Sequence, residues 1–158
     1  DHKSSRGLGD VYKRQEYTAI EAAIQRPLVK EADFHGKAAH LAHREESPCA
    51  ILCTMTLDDL NVSGKTRYPV GISPIIDPAT GEVPIDSKGR RSYTTGMSYC
   101  PSLKKFVVMG YLPKEIAIQG KSLLIEYFNE DGDGLYPTTV QIVGKGSLYD
   151  PNNERVRA

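Results

Sequence analysis

No run of apolar residues in this chain approaches the roughly 20 needed to cross a bilayer as a helix. Net charge is also missing: 20 Lys and Arg residues balance 20 Asp and Glu residues. That balance removes the electrostatic reason to expect nucleic acid, because phosphate binding needs a basic surface. The most basic cluster, Lys88, Arg90 and Arg91 around Gly89, reads as a charged turn. Cysteine is scarce, with three residues at irregular spacing, which excludes a disulfide scaffold. A reducing, cytoplasmic compartment fits that usage best. No glycine-rich phosphate loop follows a strand pattern, and no Ser/His/Asp set stands at a catalytic spacing. The remaining composition, 39% apolar and 25% charged over 158 residues, suits one soluble domain with an ordinary core.

Glycine and proline are frequent from Pro48 onward, and they separate short β-branched and aromatic runs. That is the pattern of a sandwich or barrel. In PCAILCTMTL, Cys49, Ile51, Cys53, Met55 and Leu57 fall on one face with a period of two, which predicts a strand. RYPVGISPII follows, then the turns DPATGE and DSKGRR, with Pro and Gly where turn chemistry places them. SYTTGMSY and KKFVVMGYL are further strands, and Gly110 inside the second suggests close packing or a bulge. KSLLIEYF and LYPTTVQIVG flank the polar turn NEDGDG as a hairpin. The expected core is Cys49, Ile51, Cys53, Phe106, Val108, Leu123, Ile125, Val140 and Ile142. Ahead of the strands, Asp33 is placed to cap a helix over Gly36–Glu46, and TAIEAAIQRP reads as a shorter helix or turn. The expected architecture is all-β, a Greek-key barrel of about six strands with an N-terminal helical segment.

The residues alone offer little chemistry. His40 and His43 share a helix face, but no carboxylate or cysteine at a diagnostic spacing completes a metal site. Cys49 and Cys53 lie too far apart on an extended strand to chelate, and they read as core thiols. Cys100, before Pro101, has no activating base nearby in sequence. NEDGDG lacks the distal Glu of a calcium loop, because the chain turns hydrophobic after Gly134. No catalytic residue and no metal ligand is therefore expected.

A resemblance supplies what spacing does not. YTTGMSYCPSLKKFVVMGYLPKE resembles the "VTSG…SPSLxKxxAxGYVP" signature of the C-terminal barrel in the glycine cleavage T-protein (aminomethyltransferase) family. ADFHGKAAHLAHREE is similar to that family's "DFIGKEAL" helix, and YTAIEAAI to its "TPxEAGL" segment, with Ala19 for Pro and Ala23 for Gly. Thr95 stands for the Ser of "TSG", and His35 for a common Ile. REESPCAILCTMTLDD, the long IIDPATGEVPIDSKGRRS insertion and the ending LYDPNNERVRA resemble the branch fused to FAD-dependent dimethylglycine and sarcosine dehydrogenases.

The resemblance implies a C-terminal barrel that closes one side of a tetrahydrofolate cavity. FAD would sit in an N-terminal domain upstream, whose domains are the expected partners. The family's main acidic catalytic residue also lies upstream. By the same resemblance Glu21, Arg26, Arg91, Tyr93 and Tyr99 are the folate-binding candidates, since folate rings suit aromatic walls and glutamate tails suit basic groups. A stand-alone aminomethyltransferase and a non-catalytic binding barrel are the alternatives. The expected division is 16–46 as the end of the folate-binding domain with its linking helix, 47–144 as the barrel and 145–158 as a tail. Residues 1–15 fit no helical or strand period and are similar to translated sequencing-adapter read-through from metagenome assembly, so they are expected to make no packed contacts.

Overall fold

The computed structural model describes residues 17–25, 28–57, 61–62, 65–66, 72–129, 132–142, 148–150 and 154–155. The expectation for residues 1–15 lies outside them. The chain divides into two compact units between Pro48 and Cys49.

In the first unit, residues 19–23 form a turn in which Ala22 N–H donates to Thr18 O at 3.0 Å and Ile24 N–H to Ala19 O at 3.1 Å. Ala23 takes φ +55° there, a left-handed conformation that is costly for a residue with a Cβ. The one helix among the described residues, α1, spans Lys37–Glu45. Its N-cap is Gly36 at φ +81°, with no side-chain cap, so Asp33 does not cap it as expected. The left-handed step at Gly36 turns the chain into the helix and leaves Asp33 outside the first turn. Lys37 Nζ instead ties the preceding loop, donating to Glu31 O at 2.6 Å. No helix among the described residues is long and apolar enough to cross a membrane.

The second unit is a sheet. Its strands are β1 (Ala50–Leu57), β2 (Asn61–Val62), β3 (Lys65–Thr66), β4 (Ile75–Ile76), β5 (Thr94–Cys100), β6 (Lys105–Pro113), β7 (Ser122–Asn129) and β8 (Gly132–Ile142). β2 and β3 pair with each other as a minimal hairpin that no sequence signal predicted. The other six form an antiparallel sheet in the order β4-β7-β8-β1-β6-β5, curled into a half-barrel. Its two outermost strands meet at a seam: Pro74 bridges Tyr93, Thr94 N–H donates to Ser73 O at 2.9 Å, and Ile72 N–H donates to Thr94 O at 2.8 Å. Through that seam β4, β5 and β6 follow one another as neighbours, and β7 returns to lie beside β4. This is the Greek-key order expected from the spacing of turns.

The core is Cys53, Met55, Leu57, Ile75, Val108, Leu112, Ala117, Leu123, Ile125 and Val140, with Ile51 and Phe106 packed against it and partly buried. Two expected members miss it. Cys49 precedes β1 and is half-buried. Ile142 ends β8 and is 37% exposed, because strand ends run past the filled interior. The period of two was right, and its phase holds only where neighbouring strands continue. The hairpin turn is also shorter than NEDGDG suggests: pairing runs from Ser122↔Thr139 to Asn129↔Gly132, so Gly132, Asp133 and Gly134 already belong to β8.

Gly110 shows both behaviours its place in the sequence allowed. The β5–β6 register slips between Thr94 and Gly96, so Thr95 is an extra residue opposite Met109 and Gly110. A Cβ on Gly110 would stand 2.8 Å from Ile75 Cδ1, 2.8 Å from Tyr93 O and 3.2 Å from Met55 Cε. The bulge and the bare backbone together let the seam settle onto β6.

Candidate functional site

The loop that leads into the seam is built from two turns, each folded around an aspartate. Asp77 Oδ1 accepts Ala79 N–H at 3.0 Å, and its Oδ2 pairs with Lys121 Nζ at 2.6 Å, just before β7. The Lys121 ammonium, and secondarily the Ala79 N–H, hold the Asp77 carboxyl below its ordinary value, against the opposing effect of burial. Asp86 Oδ1 accepts Lys88 and Arg90 N–H, both at 2.9 Å, while its Oδ2 pairs with Arg90 Nε at 2.6 Å. The charged turn read from Lys88–Arg91 is therefore an aspartate-centred one, with Arg90 spent on holding it closed.

Arg91 follows, exposed and bridged to Ile85, and Tyr93 sits half-buried in the seam itself. Tyr99 lies six residues further on, roughly 20 Å along the strand. Its ring packs on Phe106 with centroids 5.3 Å apart, and the residue is 48% exposed. Glu21 belongs to the first unit and is buried; its Oε2 accepts Thr18 N–H at 2.9 Å while its own N–H donates to Thr18 Oγ1 at 3.3 Å. That reciprocal pair is a capping box, legible in sequence as Thr-x-x-Glu, and it gives Glu21 a structural occupation. Arg26 lies outside the described residues. Arg91 and Tyr93 are thus neighbours, and Tyr99 stands apart from them at the far end of β5.

Among the described candidates, Tyr99 borders a groove. A cavity of about 520 Å³ opens over β8, β1, β6 and β5. Gln141, Thr54, Val107 and Ser98 form its floor, one from each strand, and each alternates along its strand with inward-facing residues. Tyr99, Cys100, Pro101 and Leu103 form one wall, and Leu148 and Tyr149 of the C-terminal segment form another. That second wall has its own scaffold. Asp150 Oδ1 accepts Glu154 N–H at 2.8 Å and Oδ2 accepts Arg155 N–H at 3.1 Å. The Arg155 guanidinium lies 5.0 Å from the centre of the Tyr149 ring, and its Nη1 also donates to the Tyr149 hydroxyl. From the sequence this segment is expected to be a tail; the two bonds to Asp150 come from backbone N–H groups, so only Asp150 among these residues carried a sequence signal for them.

The other reactive groups are quiet. Burial pushes the Cys53 thiol up to about 12, so it stays protonated in the core. No group of three His, Cys, Asp or Glu able to hold a metal occurs among the described residues. His40 makes an edge contact with the Phe34 ring at 6.3 Å. The first unit also has an apolar depression of about 430 Å³, bordered by Ile24, Leu28, Val29 and Phe34.

The second unit is thus a curled antiparallel six-stranded sheet of Greek-key order, with a groove on its outer face whose described lining residues carry no charge. No family model matches the chain, and no curated protein matches it. Among solved structures it is similar to the glycine cleavage system aminomethyltransferase T from Bartonella henselae, with a TM-score of 0.56 and 21% identity. The likeness covers 80% of this chain and 31% of that one. It shows a shared fold, and the chain spans about a third of that neighbour's length.

Proposed function

We propose that this chain is the C-terminal barrel of a folate-dependent one-carbon enzyme of the aminomethyltransferase type. The observation that carries the reading is the likeness to aminomethyltransferase T over 80% of the chain, with the residues of the barrel signature on β5 and β6. The finer reading is a C-terminal part of an FAD-dependent enzyme that demethylates dimethylglycine or sarcosine. It is supported by the long two-turn loop before β5 and by the terminal Asp150 and Arg155, which the closed turn employs.

In this reading the described residues supply only a part of a folate cavity. Arg91, Tyr93 and Tyr99 do not converge, and no described residue lining the groove is basic enough to meet a glutamate tail. They offer no phosphate-cradling loop for a flavin either. No catalytic step is assigned to this chain. Its part in such an enzyme is to form a wall, with the upstream domains of the same polypeptide supplying flavin, acid and most of the cavity. Ile24 and Leu28, 75% and 87% exposed, provide apolar area for those domains to cover.

Calorimetric titration with tetrahydrofolate tests the division of labour. The chain by itself is expected to give no saturable heat below the high-micromolar range. One-to-one binding at micromolar affinity or better would mean that the barrel holds its own pocket. Sequencing the gene upstream of Glu16 tests the finer reading: a GxGxxG dinucleotide fingerprint several hundred codons earlier supports the flavin enzyme, and its absence supports a stand-alone aminomethyltransferase.

A further inference from the structure

We propose that the groove over β8, β1, β6 and β5 is a binding site for an uncharged, planar ring compound with a hydrogen-bonding edge. The inference does not rest on the folate reading. It starts from what the lining lacks. One residue in four of this chain is charged, so eleven lining residues would ordinarily include about three charges. The eleven described residues that line this groove include none.

The shape selects a flat occupant. The floor is a row of short or flexible side chains, Gln141, Thr54, Val107 and Ser98, on four adjacent strands of one sheet face. Two aromatic rings border it from different segments. Tyr99 is backed by Phe106, and Tyr149 is held under the Arg155 guanidinium. Both are thereby fixed before anything binds, and pre-fixed aromatic walls lose little entropy on contact. The ring of a ligand would lie on Val107 and against the tyrosines. The Thr54 and Ser98 hydroxyls and the Gln141 amide supply donors and acceptors to its edge. The volume, about 520 Å³, falls within the range of small-molecule sites. An ion would lose its hydration there against described lining residues that return no opposite charge, and the Arg155 guanidinium beside Tyr149 is already engaged by that ring and its hydroxyl.

Three isosteric probes separate this proposal from its rivals: benzamide, which is neutral, benzoate, an anion, and benzamidine, a cation. The assay is two-dimensional amide NMR of the full chain at pH 7. Benzamide is expected to shift the Thr54, Ser98 and Gln141 resonances saturably, and both ions to bind about tenfold more weakly, as uncompensated desolvation requires. Ser98→Lys puts a charge on an exposed floor position and should abolish the shifts; Gln141→Glu serves the same end if that variant fails to fold. Arg155→Ala frees the Tyr149 wall and should weaken benzamide severalfold while leaving Tyr99 shifts detectable. Equal or tighter binding of benzoate overturns the proposal, as does the absence of saturable shifts with all three probes. Groove shifts that follow protein concentration without any probe also overturn it, since a second copy of the chain would then be the occupant.

Discussion

Replacing Gly110 with alanine tests the closure of the sheet directly. The added methyl would stand 2.8 Å from both Ile75 Cδ1 and Tyr93 O, where carbon contacts are comfortable at about 3.5–4.0 Å. The two obstacles differ. Ile75 is a side chain, but it is fully buried among Met55 and Ile125 and has little room to turn. Tyr93 O is backbone, fixed by the Pro74 bridge and by the neighbouring bonds Thr94 N–H to Ser73 O and Ile75 N–H to Ser92 O. Relief therefore requires the seam to lift. Overpacking a core by one methyl costs about 1–3 kcal/mol. A strained or broken seam bond adds about 1 kcal/mol. Removing a glycine from a strand returns about 0.5–1 kcal/mol. The net expectation is a loss of about 2 kcal/mol, or a fall of about 4–8 °C in Tm for a chain of this size.

Far-UV circular dichroism during urea unfolding measures it, since the chain has no tryptophan to follow. Gly96→Ala is the control, because nothing lies within 4 Å of a Cβ there, and it should be neutral or slightly stabilising. Ile75→Val deletes the clashing Cδ1, so the double variant should be less unstable than the two single losses added together. If Gly110→Ala matches wild type within 0.5 kcal/mol, the seam is not packed as described.

Four further expectations follow from the same structure. Ala23→Gly relieves a left-handed alanine and should stabilise the chain by about 1 kcal/mol in thermal melts, with no gain meaning that the turn differs. Asp77→Asn should cost about 1 kcal/mol or less at neutral pH, since the ion pair is partly exposed. Because folding lowers the Asp77 carboxyl value, the wild-type advantage is full above the ordinary carboxylate value of about 3.9 and fades below it. Denaturation curves at pH 7, 5, 4 and 3 should show the gap closing, and a constant gap would refute the pairing. Ser92 Oγ is buried with no hydrogen-bond partner among the described residues, so Ser92→Ala should leave stability unchanged or raise it by up to about 1 kcal/mol, whereas a clear loss would reveal a missed partner. Cys53 should resist iodoacetamide in the native state while Cys100, half-exposed at the groove wall, reacts; rapid loss of both thiols would contradict the buried assignment.

Much of the sheet was legible because period-two alternation is a local property. Cys53, Met55 and Leu57 follow it in β1, and Val108 and Val140 in the strands beside it. The misses lie where a partner distant in sequence decides. Ile142 has the right period, but it stands at the end of β8, where the interior is no longer filled. The seam depends on an isolated bridge between Pro74 and Tyr93, and no local pattern says that these two residues, 19 apart, meet. Asp33 was a sound cap by residue type; the left-handed φ of Gly36, a backbone choice, overruled it. The candidate site was harder. The resemblance drew attention to aromatic and charged residues near the signature, and of these Tyr99 alone borders the groove. The floor consists of Thr54, Ser98, Val107 and Gln141, which carry no chemical signal in a linear sequence. Tyr149 comes from a segment expected only as a tail.

The position of β1 has a consequence for how the chain must be made. It is the first strand of the six-stranded sheet to leave the ribosome, yet both its neighbours are late: Ala50 pairs with Pro113, and Cys53 with Ile142. At about 5–20 residues per second, the 89 residues added after Cys53 to reach Ile142 take about 4–18 s to synthesise. Until β6 is made AILCTMTL is an apolar segment with two open hydrogen-bonding edges and no charge to interrupt it, and one edge stays open until β8. The hairpins β5–β6 and β7–β8 need only short-range contacts and can form as they emerge. Productive folding is then the capture of a waiting strand by two preformed hairpins. A nascent chain stalled before β8 is the species most exposed to aggregation, and a chaperone acting on this protein would find its binding segment in β1.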